Sequence, residues 1–173
     1  LMENPFKVNL HELPRRAGEH RSYNLNFPAP EAIGNPLLAI PAGAPLDISF
    51  EAESVADGVL ISGNVRSHAY GECGRCLEKI SEDIEQKFQE LFFYESRVEE
   101  SDDDLFVMDG DFADIETPIR DAVVLAMPIN PLCKVDCKGL CSECGEKLEL
   151  LEPGHAHEKI DPRWSGLSGW QPK

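Results

Sequence analysis

The chain has 173 residues, 32 acidic against 16 basic, a formal charge of −16 and a pI near 4.6. That balance repels a phosphate backbone overall, so non-specific nucleic-acid binding by charge is disfavoured, direct RNA contact staying open, and basic proteins become the natural partners. No apolar run approaches a membrane span, nothing reads as a lipid anchor, and 42% hydrophobic content suffices for one domain with a core.

Phe6, Val8 and Leu10 alternate with polar residues, which predicts a short strand within 5–13, ended by Pro14. Arg15, Arg16 and Arg21 follow in a basic cluster, read as a solvated connector and as the one place where charge could meet RNA. Pro28, Pro30, Pro36, Pro41 and Pro45 interrupt 27–45, leaving room for one short turn or strand at 37–40. From Leu46 the pattern becomes β. Residues 46–52 and 59–65 alternate cleanly, and Ala56-Asp57-Gly58 between them is a hairpin turn. The second strand runs on toward Tyr70 and delivers Cys73-Gly74-Arg75-Cys76. Residues 80–94 fit either period, and the β-rich neighbourhood with the Phe92-Phe93-Tyr94 ending favours a long strand.

The acidic run at 95–104 has little to bury and predicts a mobile loop, with 105–108 a short edge strand beyond it. Residues 114–127 read as a helix, capped by Asp114 or Thr117, with Pro118 in its first turn and Pro128 as its stop. Ile115, Ile119, Val123 and Ala126 form its inward face. The helix aims the chain into the cysteine run. Near the end, Asp161-Pro162 predicts a short helix that Trp164 and Leu167 would have to dock. The fold class is therefore α+β: mainly antiparallel β-sheet or a partly open barrel, with one main helix and a C-terminal zinc knuckle. Residues 1–131 form the main domain, and 132–173 a cysteine-rich module packed on it.

All six cysteines fall in short groups: Cys73 and Cys76, then Cys133, Cys137, Cys141 and Cys144. Close thiolate pairs suit a tetrahedral zinc site, since two sulfurs on one turn reach the same ion. His155 and His157 bring the candidate ligands to eight. The preferred partition is two sites, Cys73, Cys76, Cys133 and Cys137 in one, and Cys141, Cys144, His155 and His157 in the other. Spacing also allows a single zinc on the 133–144 run, with Cys73 and Cys76 free. Cys73-Gly-Arg-Cys76 has the form of a thioredoxin-type redox pair too, although it follows a hairpin rather than opening a helix. No pattern of a secretory leader opens the sequence, so a reducing cytoplasm is expected, and metal is favoured over disulfides. No H-E-x-x-H, phosphate loop or nucleophile elbow supports catalysis.

Four stretches together resemble the YceD family of large ribosomal RNA subunit accumulation proteins. They are Cys73-Gly-Arg-Cys76-Leu, the Asp114…Pro118-Ile-Arg-Asp…Leu125-Ala-Met-Pro128 helix, Lys138-Gly-Leu-Cys141-Ser-Glu-Cys144-Gly, and Asp161-Pro162-Arg163…Leu167. Some members carry Cys-x-Cys where this chain has His155-Ala-His157, a ligand exchange that a metal site tolerates. The trailing Gly-Leu-Ser-Gly-Trp is less helical than the family pattern. The resemblance implies a cytoplasmic, non-enzymatic factor that supports accumulation of large-subunit ribosomal RNA and ribosome assembly. At −16, a basic ribosomal protein or pre-ribosomal particle is an easier partner than naked RNA, with no membrane and no small-molecule substrate.

Overall fold

In the computed structural model, which describes residues 4–98, 104–157 and Arg163, the N-terminal alternation forms strand β1 (Lys7–Asn9). Phe6, Val8 and Leu10 are buried, as the alternation requires. Strand β2 (His20–Pro28) begins inside the basic cluster, so the expected connector ends at residue 19. The proline-rich stretch holds two short strands, β3 (Ile33–Gly34) and β4 (Leu38–Ile40). Only the second of these is legible as a pattern.

Strands β5 (Pro45–Ser54) and β6 (Gly58–Glu72) form the expected hairpin across Asp57, with Val55 N–H donating to Gly58 C=O at 2.9 Å. Leu46, Ile48, Phe50 and Ala52 of β5 face the core beside Val59, Ile61 and Val65 of β6. Strand β7 (Lys79–Phe93) settles the ambiguity of 80–94 in favour of β. It pairs antiparallel with β6 over its whole length, from Gly58↔Phe93 to Glu72↔Lys79. Pairing overrides the helical composition because Ile84, Phe88 and Phe92 reach one buried face at period two or four.

A turn at Glu95–Arg97 follows where the mobile loop was expected to start, and residues 99–103 of that loop lie outside the described residues. Strand β8 (Phe106–Val107) then pairs parallel with the end of β7, at the sheet edge as expected. Strand β9 (Phe112–Asp114) pairs with β1 in a small second sheet.

Helix α1 (Glu116–Ala126) starts where expected. Asp114 Oδ1 accepts the Glu116 N–H at 3.0 Å and satisfies one donor of the first turn, while Thr117 lies inside the helix. Ile115, Ile119 and Val123 are fully buried, but Ala126 is exposed and Met127 takes the inward place. The helical period carries 115, 119 and 123 inward; the chain then leaves helical geometry at Met127, which is extended and turns its side chain back to the core. The short helix expected from Asp161 falls outside the described residues, Arg163 apart.

The architecture is a half-barrel of mainly antiparallel strands in the order β2-β5-β6-β4-β3, with β7 along the other edge of β6. Its core is lined by β1, β9 and α1. Both β6 and β7 extend well past β5, β4 pairs with β6 there at Tyr70 and Gly71, and the tip beyond carries Cys73 and Cys76.

Candidate metal centres

The first knuckle sits at the tip of the β6–β7 ribbon. Cys73 N–H donates to Glu78 C=O at 2.8 Å, and Leu77 N–H donates to Cys73 C=O at 2.9 Å. These two bonds close a loop that turns both sulfurs to one side. Gly74 lies against the loop that leaves α1: its N–H donates to Pro131 C=O at 2.8 Å. A Cβ on Gly74 would stand 1.6 Å from Asn130 Oδ1, so no other residue type fits without moving Asn130. Arg75 reaches across and donates from Nη1 to Cys137 C=O at 2.9 Å. The helix and the hairpin are thereby bolted together around four sulfurs.

Those sulfurs are close to the spacing that a metal demands. Cys73 Sγ stands 3.8 Å from Cys137 Sγ, and Cys76 Sγ 3.5 Å from Cys133 Sγ. Four thiolates at about 2.3 Å from one zinc are about 3.8 Å apart. Cys73, Cys76 and Cys137 are buried and Cys133 is half-buried. Burial pushes the Cys73 thiol up, but N–H groups of Cys133, Cys76 and Arg75 aimed at its sulfur outweigh that and bring it down to about 6. Burial also drives Cys133, with the neighbouring cysteine side chains adding to it, up to about 12, and it raises Cys137. The cluster thus contains one thiol poised to ionise beside thiols that resist it.

The second knuckle repeats the first in its backbone. Cys141 N–H donates to Glu146 C=O at 2.8 Å, and Gly145 N–H to Cys141 C=O at 2.9 Å. Its other two donors come from the chain beyond residue 150. Cys144 Sγ lies 3.6 Å from His155 Nε2, and His155 Nε2 lies 2.8 Å from His157 Nε2 with the rings edge to face. Cys141 is half-buried, and Cys144, His155 and His157 are exposed. Backbone N–H groups of Cys144 and Glu143 lower the Cys141 thiol to about 7.

A short bridge, Leu140↔Lys147, closes the base of the second knuckle, and two ion pairs link it to the first: Lys147 to Glu78 at 3.2 Å and Lys134 to Glu149 at 2.6 Å. The Lys147 ammonium is held charged first by Glu78 and further by the Cys76 and Cys133 sulfurs, so it lies within the field of the first cluster.

All eight candidate ligands gather as two groups of four, each with its ligand atoms within 4.8 Å of one another. Cys73, Cys76, Cys133 and Cys137 form one; Cys141, Cys144, His155 and His157 form the other. Both could hold a metal ion. The 133–144 run is divided between the two groups rather than closing on itself. Sequence reasoning did not find Asn130, Arg75, Lys134 or Lys147 as supports of the site. The glycine between Cys73 and Arg75 was the available hint of a close approach. Two of the three arginines of the basic cluster, in contrast, are engaged within the fold. Arg15 donates to Asp111 and to Gly110 C=O and lies over the Tyr94 ring, and Arg21 pairs with Glu12. No helix among the described residues is long and apolar enough to cross a membrane.

A β half-barrel with one helix and two Cys/His tetrads at one end defines the class: a protein with paired candidate metal knuckles. Residues 61–169 match the family described as "Large ribosomal RNA subunit accumulation protein YceD", and the chain belongs to that family. An uncharacterized protein of Mycobacterium tuberculosis is 41% identical over 167 residues, covering 95% of this chain and 80% of that protein. An uncharacterized protein of Mycobacterium leprae is 36% identical over 95% of this chain and 77% of its own length. The chloroplastic "Large ribosomal RNA subunit accumulation protein YCED homolog 1" of Arabidopsis thaliana is 27% identical over 73% of this chain and 49% of its own length. No solved structure gives a significant match.

Proposed function

We propose that this protein is a cytoplasmic, non-enzymatic factor that binds two zinc ions and supports large-subunit ribosomal RNA accumulation and ribosome assembly. Cys73, Cys76, Cys133 and Cys137 hold one ion; Cys141, Cys144, His155 and His157 hold the other. The carrying observation is the pair of four-donor groups, because a closed set of four soft donors is the signature of a structural zinc. Catalytic zinc keeps an open position, whereas four protein donors around each ion would complete a tetrahedral set. The family description supports the ribosomal part of the reading. Residues 132–173 act as a metal-clamped module packed on the domain formed by 1–131, and the first ion ties the two together.

The partner is a basic ribosomal protein or pre-ribosomal particle, since a charge of −16 opposes a direct grip on RNA. Elemental analysis of reduced protein expressed with ample metal gives two zinc ions per chain; none would falsify the reading. Pull-down from growing cells recovers large-subunit proteins. Neutralising Asp102, Asp103 and Asp104 slows that association, with salt weakening it, whereas Arg15→Ala with Arg16→Ala leaves it unchanged.

The depressed Cys73 thiol favours one alternative, thiol–disulfide exchange through Cys73 and Cys76. Its complete burial opposes that use. Thiol titration of the metal-loaded protein separates the two readings: masked Cys73 fits zinc, and rapid labelling of Cys73 fits exchange.

A further inference from the structure

Among the described residues, two long strands of the main sheet keep an open side. Strand β7 is paired away from β6 only at Phe92 and Phe93, and β2 is paired with β5 alone. An open side presents a row of N–H and C=O groups that templates another strand, and charged side chains or prolines are the usual defence. Strand β7 has that defence in Lys79, Glu82, Asp83, Glu85, Lys87 and Glu90. Strand β2 lacks it. From Ser22 to Phe27 it carries no charge, and its only proline is its last residue, Pro28.

The flanking hydrogen bonds show which backbone groups of β2 face outward. Ala29 N–H donates to Ala44 C=O at 2.8 Å, and Ser54 N–H donates to Glu19 C=O at 2.8 Å. Backbone groups alternate sides along a strand, so the odd-numbered residues of β2 bond to β5. Ser22, Asn24 and Asn26 therefore turn their N–H and C=O groups to the open side. Pro28 falls on that side too, where its missing N–H breaks no bond to β5. On the core face of the sheet Tyr23, Leu25 and Phe27 pack against the core, yet all three stay only half-buried. The apolar face is unfinished here, and one more strand would complete it.

We infer that β2 pairs antiparallel with β2 of a second copy of this chain, about a two-fold axis at Asn24, so that two sheets join into one. A two-fold axis demands a strand complementary to its own reverse, and β2 meets that demand. In this register Asn24 faces Asn24 of the second copy, Ser22 faces Asn26, and each facing pair exchanges both of its N–H···O=C bonds. Tyr23 faces Leu25 on the core side. Polar thus meets polar on one face and aromatic meets aliphatic on the other. A slip of one residue would set apolar side chains on polar ones, so the alternation fixes the register. The ladder ends where Pro28 has no N–H to offer His20. Because one two-fold axis uses up both open sides of β2, the assembly closes at two chains. The inference goes beyond the metal and ribosomal readings and does not depend on either.

Sedimentation equilibrium of the full chain, from low to high micromolar concentration, tests the pairing. The expected mass is twice 19.2 kDa at the top of the range, falling toward 19.2 kDa on dilution. Asn24→Pro removes an N–H that has no partner in the single chain, and Asn24→Lys sets two ammonium groups face to face. Each should weaken association about tenfold or more while keeping the far-UV circular dichroism of the parent. In the parent, amide exchange at Ser22, Asn24 and Asn26 should slow as the chain concentration rises. A parent that stays at 19.2 kDa throughout overturns the inference. So does a dimer that survives both substitutions, since its interface then lies elsewhere. Fast exchange of the three amides in the dimer overturns it even if a variant misfolds. Protection that appears only when ribosomal protein is added gives the strand to another partner, and the second copy is then wrong.

Discussion

The two tetrads use the same backbone device in opposite surroundings. In the first, the hairpin tip and the post-helix loop converge from positions about sixty residues apart, and three of four sulfurs are buried. In the second, all four donors lie between 141 and 157, and three of four are exposed. A metal in the first site would close a long loop of chain and lock the helix to the sheet, whereas one in the second closes only a local loop. Loop-closure entropy and burial both assign the larger share of stability to the first. The same four-donor chemistry thus serves a tertiary clamp in one place and a local fold in the other.

The sharpest way to break this comparison is to remove one ligand from each. Cys76→Ser should lose the first ion and lower Tm by about 10 °C or more, because metal binding there is coupled to folding. Cys144→Ser should lose one ion and move Tm by only about 2–4 °C. Equal losses measured by calorimetry and elemental analysis would show that burial does not rank the sites.

Next in size is the pH dependence of metal affinity. Protons compete for thiolates, so affinity falls as pH falls at both sites. In the metal-free protein Cys133, at about 12, is protonated throughout the neutral range, and Cys137 is raised as well. Those protons must leave when the first ion binds. Cys141, at about 7, is mostly ionised by pH 8. Between pH 7 and 9 the affinity of the first tetrad should therefore rise more steeply with pH than that of the second. Chelator competition across that range measures both slopes, and a steeper second site contradicts the assignment.

Packing around the knuckles gives a smaller contrast. Gly74 and Ser142 occupy matching positions, but only Gly74 has Asn130 against it. Gly74→Ala should cost about 1 kcal/mol, since the exposed Asn130 side chain must swing aside, with Gly74→Ala/Asn130→Ala recovering most of it, while Ser142→Ala stays within about 0.5 kcal/mol. A double variant no better than the single one removes Asn130 as the cause. Smallest of all is Arg75→Ala, expected to cost about 1 kcal/mol or less through its bond to Cys137 C=O. Denaturant titration resolves it if metal content is held constant.

Much of this molecule follows from local chemistry. The period-two stretches at 46–52 and 59–65 around Asp57-Gly58 suffice for a hairpin, because alternation and turn type act over a few residues. The same holds for α1, where Asp114, Pro118 and Pro128 mark the ends and Ile115, Ile119 and Val123 the buried stripe. The cysteine groups advertise metal chemistry through spacing alone, which is also a local property. What spacing cannot carry is which pairs meet. That Cys133 and Cys137 leave their neighbours at 141 and 144 for Cys73 and Cys76 depends on β6 and β7 outrunning β5, and on α1 ending beside their tip. The fate of 80–94 was likewise decided at a distance, since only a fifteen-residue partner strand in register from Gly58 to Glu72 makes that segment β. The arginine at 15 looks like part of a binding arm in one dimension, yet Asp111 pairs with it once the chain folds. Pairing, register and charge compensation all depend on contacts between residues far apart in the chain. Tertiary structure alone brings those together.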